Sequence, residues 1–369
     1  MIGQRGIPAS FGGVERHVEE LGTELAARGH EVTVFTRTNY TTERPHEYRG
    51  MRARYLPTVT RKHLDAIVHS AISTVAATGD HFDVIHYHAV GPGIPAFIPR
   101  YFSRTKVVLT VHGLDADRAK WGGWARSVLT AATWLSARVP DATIVVSRSL
   151  AEHYALRYGR KAWYIPNGVV NPTRRPADEI TRRFGLHGGD YFLFVGRLVP
   201  EKAPDLLIRA FLRLPGNLRL LVAGGSSFTD EYVRSLRSLA ATDPRVLFPG
   251  YVYGPTLDEL YSNAAAFVLP SSLEGLPLTL LEAASYGIPV VASDIPPHLE
   301  VVGSDEPGRR LFATGDDLGL LRALIRVLTD PEGERAGAEA LRRRVLETYS
   351  WGATAEATER VYIEVLGRA

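Results

Sequence analysis

The sequence predicts an α/β protein built from two parallel-sheet domains carried in one chain. Three observations support this. The chain has 369 residues, too many for one hydrophobic core and enough for about two domains. Short apolar runs alternate with helix-period segments along its length, which is the pattern of βαβ units. That alternation halts at Pro166-Asn167-Gly168, passes through a polar stretch rich in Pro, Arg and Gly over 169–190 that reads as a linker and a short helix, and then begins again.

In the first half, a Gly-rich loop from Gly6 to Gly13 leads into an amphipathic helix over Val14–Arg28, with Val18, Leu21 and Leu25 on one face. Gly29 closes that helix and Glu31–Arg37 reads as a strand. Further strands are expected at Val84–His88, Val107–Val111 and Thr143–Val146. Only Met1 and Ile2 precede Gly3. A central first strand needs about five residues, so either the sheet is incomplete there or the chain begins late. In the second half, strands are expected at Tyr191–Val195, Leu218–Ala223, Val246–Phe248, Ala266–Leu269 and Pro289–Ala292. Helices fall at Pro204–Leu214, Glu231–Ala240, Leu257–Asn263 and Leu276–Tyr286, and Trp351–Leu366 is a terminal helix. Ligands of open parallel sheets bind beyond the C-terminal strand ends, so two such sheets facing each other make a cleft lined by the loops after the strands.

Composition narrows the function. Apolar residues are 45% and charged residues 22%, as in an ordinary globular chain. The absence of cysteine excludes disulfides, thiolate catalysis and cysteine-bound zinc. It fits a reducing cytoplasm, which is the expected location. No apolar run reaches the length of a membrane span, and Gln4, Arg5 and Gly6 stand where a signal peptide would be apolar. Charge is uneven. Residues 1–168 hold 21 Lys/Arg against 14 Asp/Glu and ten of the 12 histidines, whereas residues 169–369 hold 22 against 26. A basic first half, with Arg44, Arg49, Arg52, Arg54, Arg61 and Lys62 close together, suits an anionic or lipid-linked partner or peripheral contact with the inner membrane face; it equally fits a solvated surface. No nucleic-acid partner is expected.

Two loops carry the chemistry. Glu274-Gly-Leu-Pro-Leu-Thr-Leu-Leu-Glu282 follows a strand, with Ser271 and Ser272 in the turn and Pro277 suited to the first turn of a helix. The free N–H groups and positive dipole end of that helix form a diphosphate site. Glu282, about 7 Å along the axis, can accept hydrogen bonds from both ribose hydroxyls, while Glu274 faces the sugar end. Gly196-Arg-Leu-Val-Pro-Glu-Lys202 follows another strand of the same domain. Arg197 offers a bidentate fork for phosphate oxygens and Lys202 a point charge. A departing nucleoside diphosphate needs that neutralisation.

With these motifs in this order, the sequence resembles the retaining family 4 glycosyltransferases of the GT-B fold. The resemblance spans nearly the whole chain: Gly12-Gly13-Val-Glu15, Thr110-Val-His-Gly113, Val146-Ser147, Pro166-Asn-Gly-Val169, Val246–Val252 and Tyr349-Ser-Trp351 also match. Gly3-Gln-Arg-Gly-Ile-Pro8 with Phe11-Gly-Gly13 is similar to a bacterial subgroup associated with rhamnosyl or related transfer to cell-envelope polysaccharides. The resemblance implies two Rossmann-like domains facing a cleft. Residues 1–170 would bind the acceptor, residues 171–348 the nucleotide sugar, and residues 349–369 would form a helix crossing back to the first domain. It implies a nucleoside-diphosphate sugar donor, a hydroxyl acceptor, and neither a cofactor nor a metal. His112, Arg197, Lys202 and Glu274 would be catalytic. Arg197 and Lys202 would grip the diphosphate, Glu282 the ribose, and Gly275 and Leu276 amides the sugar or phosphate. Tyr251 and Val252 would lie near the base, and Gly12 and Gly13 would let their loop approach the phosphate or acceptor. His112 would stand near the reacting sugar. No general base is assigned.

Other signals divide into weaker readings. Asp115-Ala-Asp117 is a metal-binding pattern in a different fold; here it fits helix capping. His86 and His88 alternate on a strand without an obvious third ligand. Trp121, Trp124 and Trp134, interleaved with Arg118, Lys120, Arg126 and Arg138, fit a membrane-surface helix or a docked core helix. A nicotinamide-dependent oxidoreductase is rejected because Gly91-Pro-Gly93 lacks the third glycine of the fingerprint. Two alternatives stay open: another GT-B enzyme, such as a sugar-nucleotide epimerase or a sugar-phosphate synthase, and a catalytically impaired partner that only binds sugar nucleotide.

Overall fold

A computed structural model describes residues 1–9, 12–40, 44–59, 65–114, 123–227, 229–303, 306 and 308–367. The chain forms two compact units, Met1–Gly168 with Trp351–Ala369, and Val169–Ser350. Asp115, Asp117, Arg118, Lys120, Trp121, Arg61 and Lys62 lie outside the described residues, as do the side chains of Trp124 and Arg126. No helix among the described residues is long and apolar enough to cross a membrane.

The first unit holds two short sheets. In one, β1 (Thr33–Arg37) pairs parallel with β3 (Met51–Leu56), and β3 pairs antiparallel with β2 (Glu47–Tyr48). In the other, β4 (Val84–His88), β5 (Lys106–Val111), β6 (Ala142–Val145) and β7 (Trp163–Tyr164) run parallel in that order. Met1 and Ile2 lie between the two sheets. Ile2 N–H donates to His86 O at 2.9 Å and its carbonyl accepts from His88 N–H at 2.8 Å, while Phe35 N–H reaches Met1 O at 3.1 Å. Met1 and Ile2 thus link β1 to β4, with one isolated parallel bridge from Ile2 to Tyr87.

α1 (Gly13–Ala27) buries Val18, Leu21 and Leu25, and Ala355 of α14 (Trp351–Leu366) joins the same core cluster. A Cβ on Gly22 of this helix would overlap Met51 Sδ, so the methionine side chain would have to shift. α2 (Asp65–Gly79) was not legible in the sequence for a specific reason. Its buried face carries His69, Ser70, Ser73 and Thr74 while Val75 is exposed, so the amphipathic signal is reversed. α3 (Phe97–Phe102), α4 (Gly123–Arg138) and α5 (Arg148–Tyr158) complete the unit. Ser147 caps α5 by accepting from Leu150 N–H, and Gly159 ends it at φ 60°.

The second unit is one six-stranded parallel sheet. Its strands are β8 (Tyr191–Val195), β9 (Arg219–Ala223), β10 (Val246–Gly250), β11 (Ala266–Leu269), β12 (Val290–Ser293) and β13 (Arg309–Phe312), in the spatial order β10-β9-β8-β11-β12-β13. β8 and β11 are apolar throughout because helices cover both faces of the sheet. The strand order reverses between β8 and β11, which makes their C-terminal ends the switch point where such sheets bind ligands. The helices are α6 (Glu179–Phe184), α7 (Pro204–Phe211), α8 (Asp230–Ala240), α9 (Gly254–Asn263), α10 (Leu278–Ser285), α11 (Pro296–Val302), α12 (Asp317–Thr329) and α13 (Pro331–Thr348). Glu259 on α9 receives the N–H groups of Asp178, Glu179 and Ile180 on one carboxylate oxygen, at 3.0, 2.7 and 3.0 Å, and so caps α6 from a distant part of the chain.

Candidate active site

Both sequence-identified loops sit at the switch point of the second unit. The loop after β8 runs from Gly196 to Lys202, and it is pinned to the loop after β9. Leu198 N–H donates to Gly225 O at 2.9 Å, and Thr229 Oγ1 donates to Leu198 O at 2.7 Å. Gly224 sits at φ 143°, and any Cβ there would strike Gly196 O, so only glycine allows the two loops to touch.

Lys202 and Glu274 meet. Lys202 Nζ lies 2.6 Å from Glu274 Oε1, and both side chains are 12% exposed. Ser271 Oγ donates to the same oxygen at 2.7 Å. Burial alone would raise the Glu274 carboxyl, but the Lys202 charge, a smaller contribution from His298 and the two hydrogen bonds outweigh it and hold the group below the usual carboxylate range. Behind Ser271 lies a second row that the sequence did not reveal. Ser293 Oγ donates to Ser271 O, and His298 Nδ1 stands 3.1 Å from Ser293 Oγ and 3.0 Å from Ser293 O. Burial drives His298 down to about 4, against the pull of Glu274, so this imidazole is neutral at pH 7. His298 lies on α11 and carries no motif spacing, so nothing local marked it.

α10 begins at Leu278 with Pro277 as its N-cap, two residues later than the earliest start the sequence suggested. Gly275 and Leu276 form the buried turn before it, and Thr279 Oγ1 in its first turn is buried without a hydrogen-bond partner. Glu282 is the fifth residue of α10 and accepts from Tyr261 O–H at 3.3 Å. Tyr251 lies over Gly225, where a Cβ would meet its ring, and its hydroxyl donates to Ser226 O at 3.1 Å. Tyr253 stacks parallel to it at 6.0 Å, and both are about half exposed, at 40% and 46%, whereas Val252 is buried. Arg197 is half-buried in the same loop as Lys202.

The remaining site candidates belong to the first unit. Gly12, at φ 106°, precedes α1, which starts at Gly13; a Cβ on Gly12 would overlap the Glu15 carboxylate. His112 follows β5 and stands among other histidines: its ring is 4.6 Å from that of His17, edge to face, and its Nε2 is 3.3 Å from His88 Nδ1. His17 was not singled out by the sequence reading, since a lone histidine inside an amphipathic helix has no distinguishing spacing. The clustered arginines of the same unit are partly neutralised within it. Arg49 pairs with Glu19 and Glu20, Arg52 with Glu31, and Arg54 with Asp80.

Comparison with known proteins places the chain in a family. Residues 11–170 match the model for Glycosyltransferase Family 4, and residues 177–344 match that for Glycosyl transferases group 1. Glycogen synthase of Mycobacterium tuberculosis is 30% identical over 96% of this chain and 92% of its own length. D-inositol 3-phosphate glycosyltransferase of Frankia alni is 31% identical over 97% and 96%. Among solved structures, sucrose-phosphate synthase from Thermosynechococcus elongatus superposes with a TM-score of 0.81 at 23% identity, over 97% of this chain and 94% of that one. HepE of Anabaena, solved with UDP and glucose, gives 0.81 at 16% identity, over 96% and 97%. With both halves matched and full-length relatives at this identity, the chain belongs to the family 4 and group 1 glycosyltransferases and is a sugar-transferring enzyme of the GT-B fold.

Proposed function

We propose that the chain moves a hexosyl group from a nucleoside-diphosphate sugar to a hydroxyl acceptor, with retention of anomeric configuration, in the synthesis of a cell-envelope polysaccharide or glycolipid. The observation that carries this reading is the Lys202–Glu274 contact at the switch point, beside the first turn of α10. In this reading Arg197, Lys202 and the N–H groups of the α10 first turn neutralise the diphosphate as it leaves. Glu282 holds the ribose hydroxyls, Tyr251 and Val252 lie beside the base, and Glu274 contacts the donor sugar. The bond from the anomeric carbon to the phosphate oxygen breaks and one to the acceptor oxygen forms on the same face. The acceptor proton passes to the leaving phosphate, and His112 attends the reacting sugar. Residues 1–170 bind the acceptor and residues 171–348 the donor. The enzyme works in the cytoplasm, with the basic first half drawing it to an anionic or lipid-linked acceptor at the inner membrane face.

A panel of nucleotide sugars, assayed for transfer and hydrolysis, tests the reading. One donor is expected to be turned over with the product in the donor's anomeric configuration, and inverted product would overturn the retaining assignment. Because protein groups neutralise the diphosphate, activity is expected to persist in a chelator; loss of activity restored by manganese would reject the metal-independent mechanism.

A further inference from the structure

The first unit contains a cluster that sugar transfer uses only at one corner. His17 comes from α1, His88 from the end of β4 and His112 from just beyond β5. One ring nitrogen of each lies within 4.8 Å of one ring nitrogen of the other two. The roles of these nitrogens are already divided. His17 Nδ1 faces Asn167 Oδ1 at 2.8 Å; the amide oxygen accepts, so Nδ1 carries the proton and Nε2 keeps its lone pair. His17 Nε2 is buried without a partner. His88 Nδ1 and His112 Nε2 are 3.3 Å apart. Two imidazole nitrogens bound to one tetrahedral zinc, each at about 2.0–2.1 Å, stand about 3.4 Å from one another.

His17 Nε2 has no surface that a water molecule reaches. His86 forms a wall rather than a ligand: it stacks on His88 at 4.3 Å, but its two nitrogens are already engaged, by Tyr362 O–H at 2.6 Å and Thr110 Oγ1 at 2.7 Å. Trp351 closes the far side, edge-on to His17 at 5.5 Å. An all-imidazole set suits zinc and its neighbours and not magnesium or calcium. The Asn167 oxygen behind His17 fixes the ring's tautomer and orientation, the part that an oxygen acceptor plays behind a ligating ring. His17 and His88 are buried while His112 is partly exposed, so the open coordination position falls on the His112 side.

We propose that His17, His88 and His112 form a binding site for one zinc-class divalent ion, and that its occupancy inhibits sugar transfer by fixing His112. The inhibitory half rests on the placement of His112 at the reacting sugar; the binding half does not.

The test uses the full chain, stripped of metal by a chelator. Zinc chloride titrated in a calorimeter is expected to bind at one equivalent, and cobalt chloride to give the visible absorption of an ion with few ligands. His17→Ala and His88→Ala are each expected to weaken zinc binding by about 100-fold. Asn167→Asp places a carboxylate behind His17 and is expected to tighten it by about 10-fold. No saturable zinc heat and no cobalt band in the unaltered chain would overturn the site, as would unchanged affinity in a folded His17→Ala variant. The cobalt band and the Asn167→Asp gain do not depend on the alanine variants folding. Zinc that binds without slowing transfer overturns the inhibitory half and, with it, the placement of His112, while leaving the donor-site assignments to the nucleotide-sugar panel.

Discussion

Lys202 and Glu274 are 72 residues apart in sequence and 2.6 Å apart in space. Each is the other's partner before any donor arrives, so removing one has a different consequence from removing the other. Lys202→Ala deletes a positive charge from the proposed diphosphate cradle. It is expected to weaken binding of the diphosphate product in calorimetry and to lower turnover by about 100- to 1,000-fold, the scale of losing one charge-stabilising donor. Arg197→Ala tests the neighbouring contact in the same way. Glu274→Gln keeps the shape and releases Lys202. Diphosphate affinity is expected to hold or rise while turnover falls about 100-fold, a split between binding and rate that a purely structural role for Glu274 would not give. Lys202 and Glu274 were legible as a pair of motifs because each stands at a fixed offset from a strand end. Their contact was not, and neither was the Ser293–His298 row behind it, since those residues come from β12 and α11 and announce themselves by no local pattern.

At the scale of elements, most strands of the four- and six-stranded sheets were readable because continuous apolar runs such as Tyr191–Val195 meet a need imposed by helices on both faces. Elements whose local signal opposes their environment were missed. α2 buries serines and a histidine, and β3 alternates Met51 and Ala53 inward with Arg52 and Arg54 outward in a stretch too basic to stand out. α6 is the short helix expected within 169–190. It is only six residues long and is held at its start by Glu259, from α9, through three N–H groups. Glu259→Ala leaves those donors without this acceptor in a partly buried corner, and a loss of about 2 kcal/mol is expected. In a unit of this size that lowers the melting temperature by about 4–8 °C, which calorimetry of the whole chain will resolve. A melting temperature unchanged by the substitution would show that α6 does not depend on this cap.

The whole molecule carries an acid sensitivity that neither unit's motifs suggest. His69 in the first unit and His298 in the second are each driven down to about 4 by burial, from an ordinary 6.5. The unfolded chain therefore takes up protons at these positions near pH 6.5, while the folded chain refuses them until about pH 4. The stability they preserve is fully present above pH 6.5 and is lost as pH falls from there toward 4. The Glu274 carboxyl, held low, loses its contribution in the same direction but at more acid pH. Urea unfolding at pH 7, 5.5 and 4.5 is expected to show a stability loss of several kcal/mol across that range. His298→Asn should flatten the part that belongs to the second unit. A flat profile between pH 7 and 4.5 would show that these rings are more accessible than their burial indicates.

The chain enters its second unit at Val169 and leaves it at Ser350, and a backbone bond from Val169 N–H to Tyr349 O ties the two crossings together at 3.1 Å. During synthesis, the order of completion thus reverses the order of appearance. The first unit emerges early but waits for its last helix, which supplies Trp351 against His17 and Tyr362 against His86. The second unit, one uninterrupted stretch, has every strand it needs before that helix leaves the ribosome. Domains fold as units while the chain is being made, so a nascent chain stopped at Ser350 holds a finished second unit and a first unit whose histidine cluster is still open.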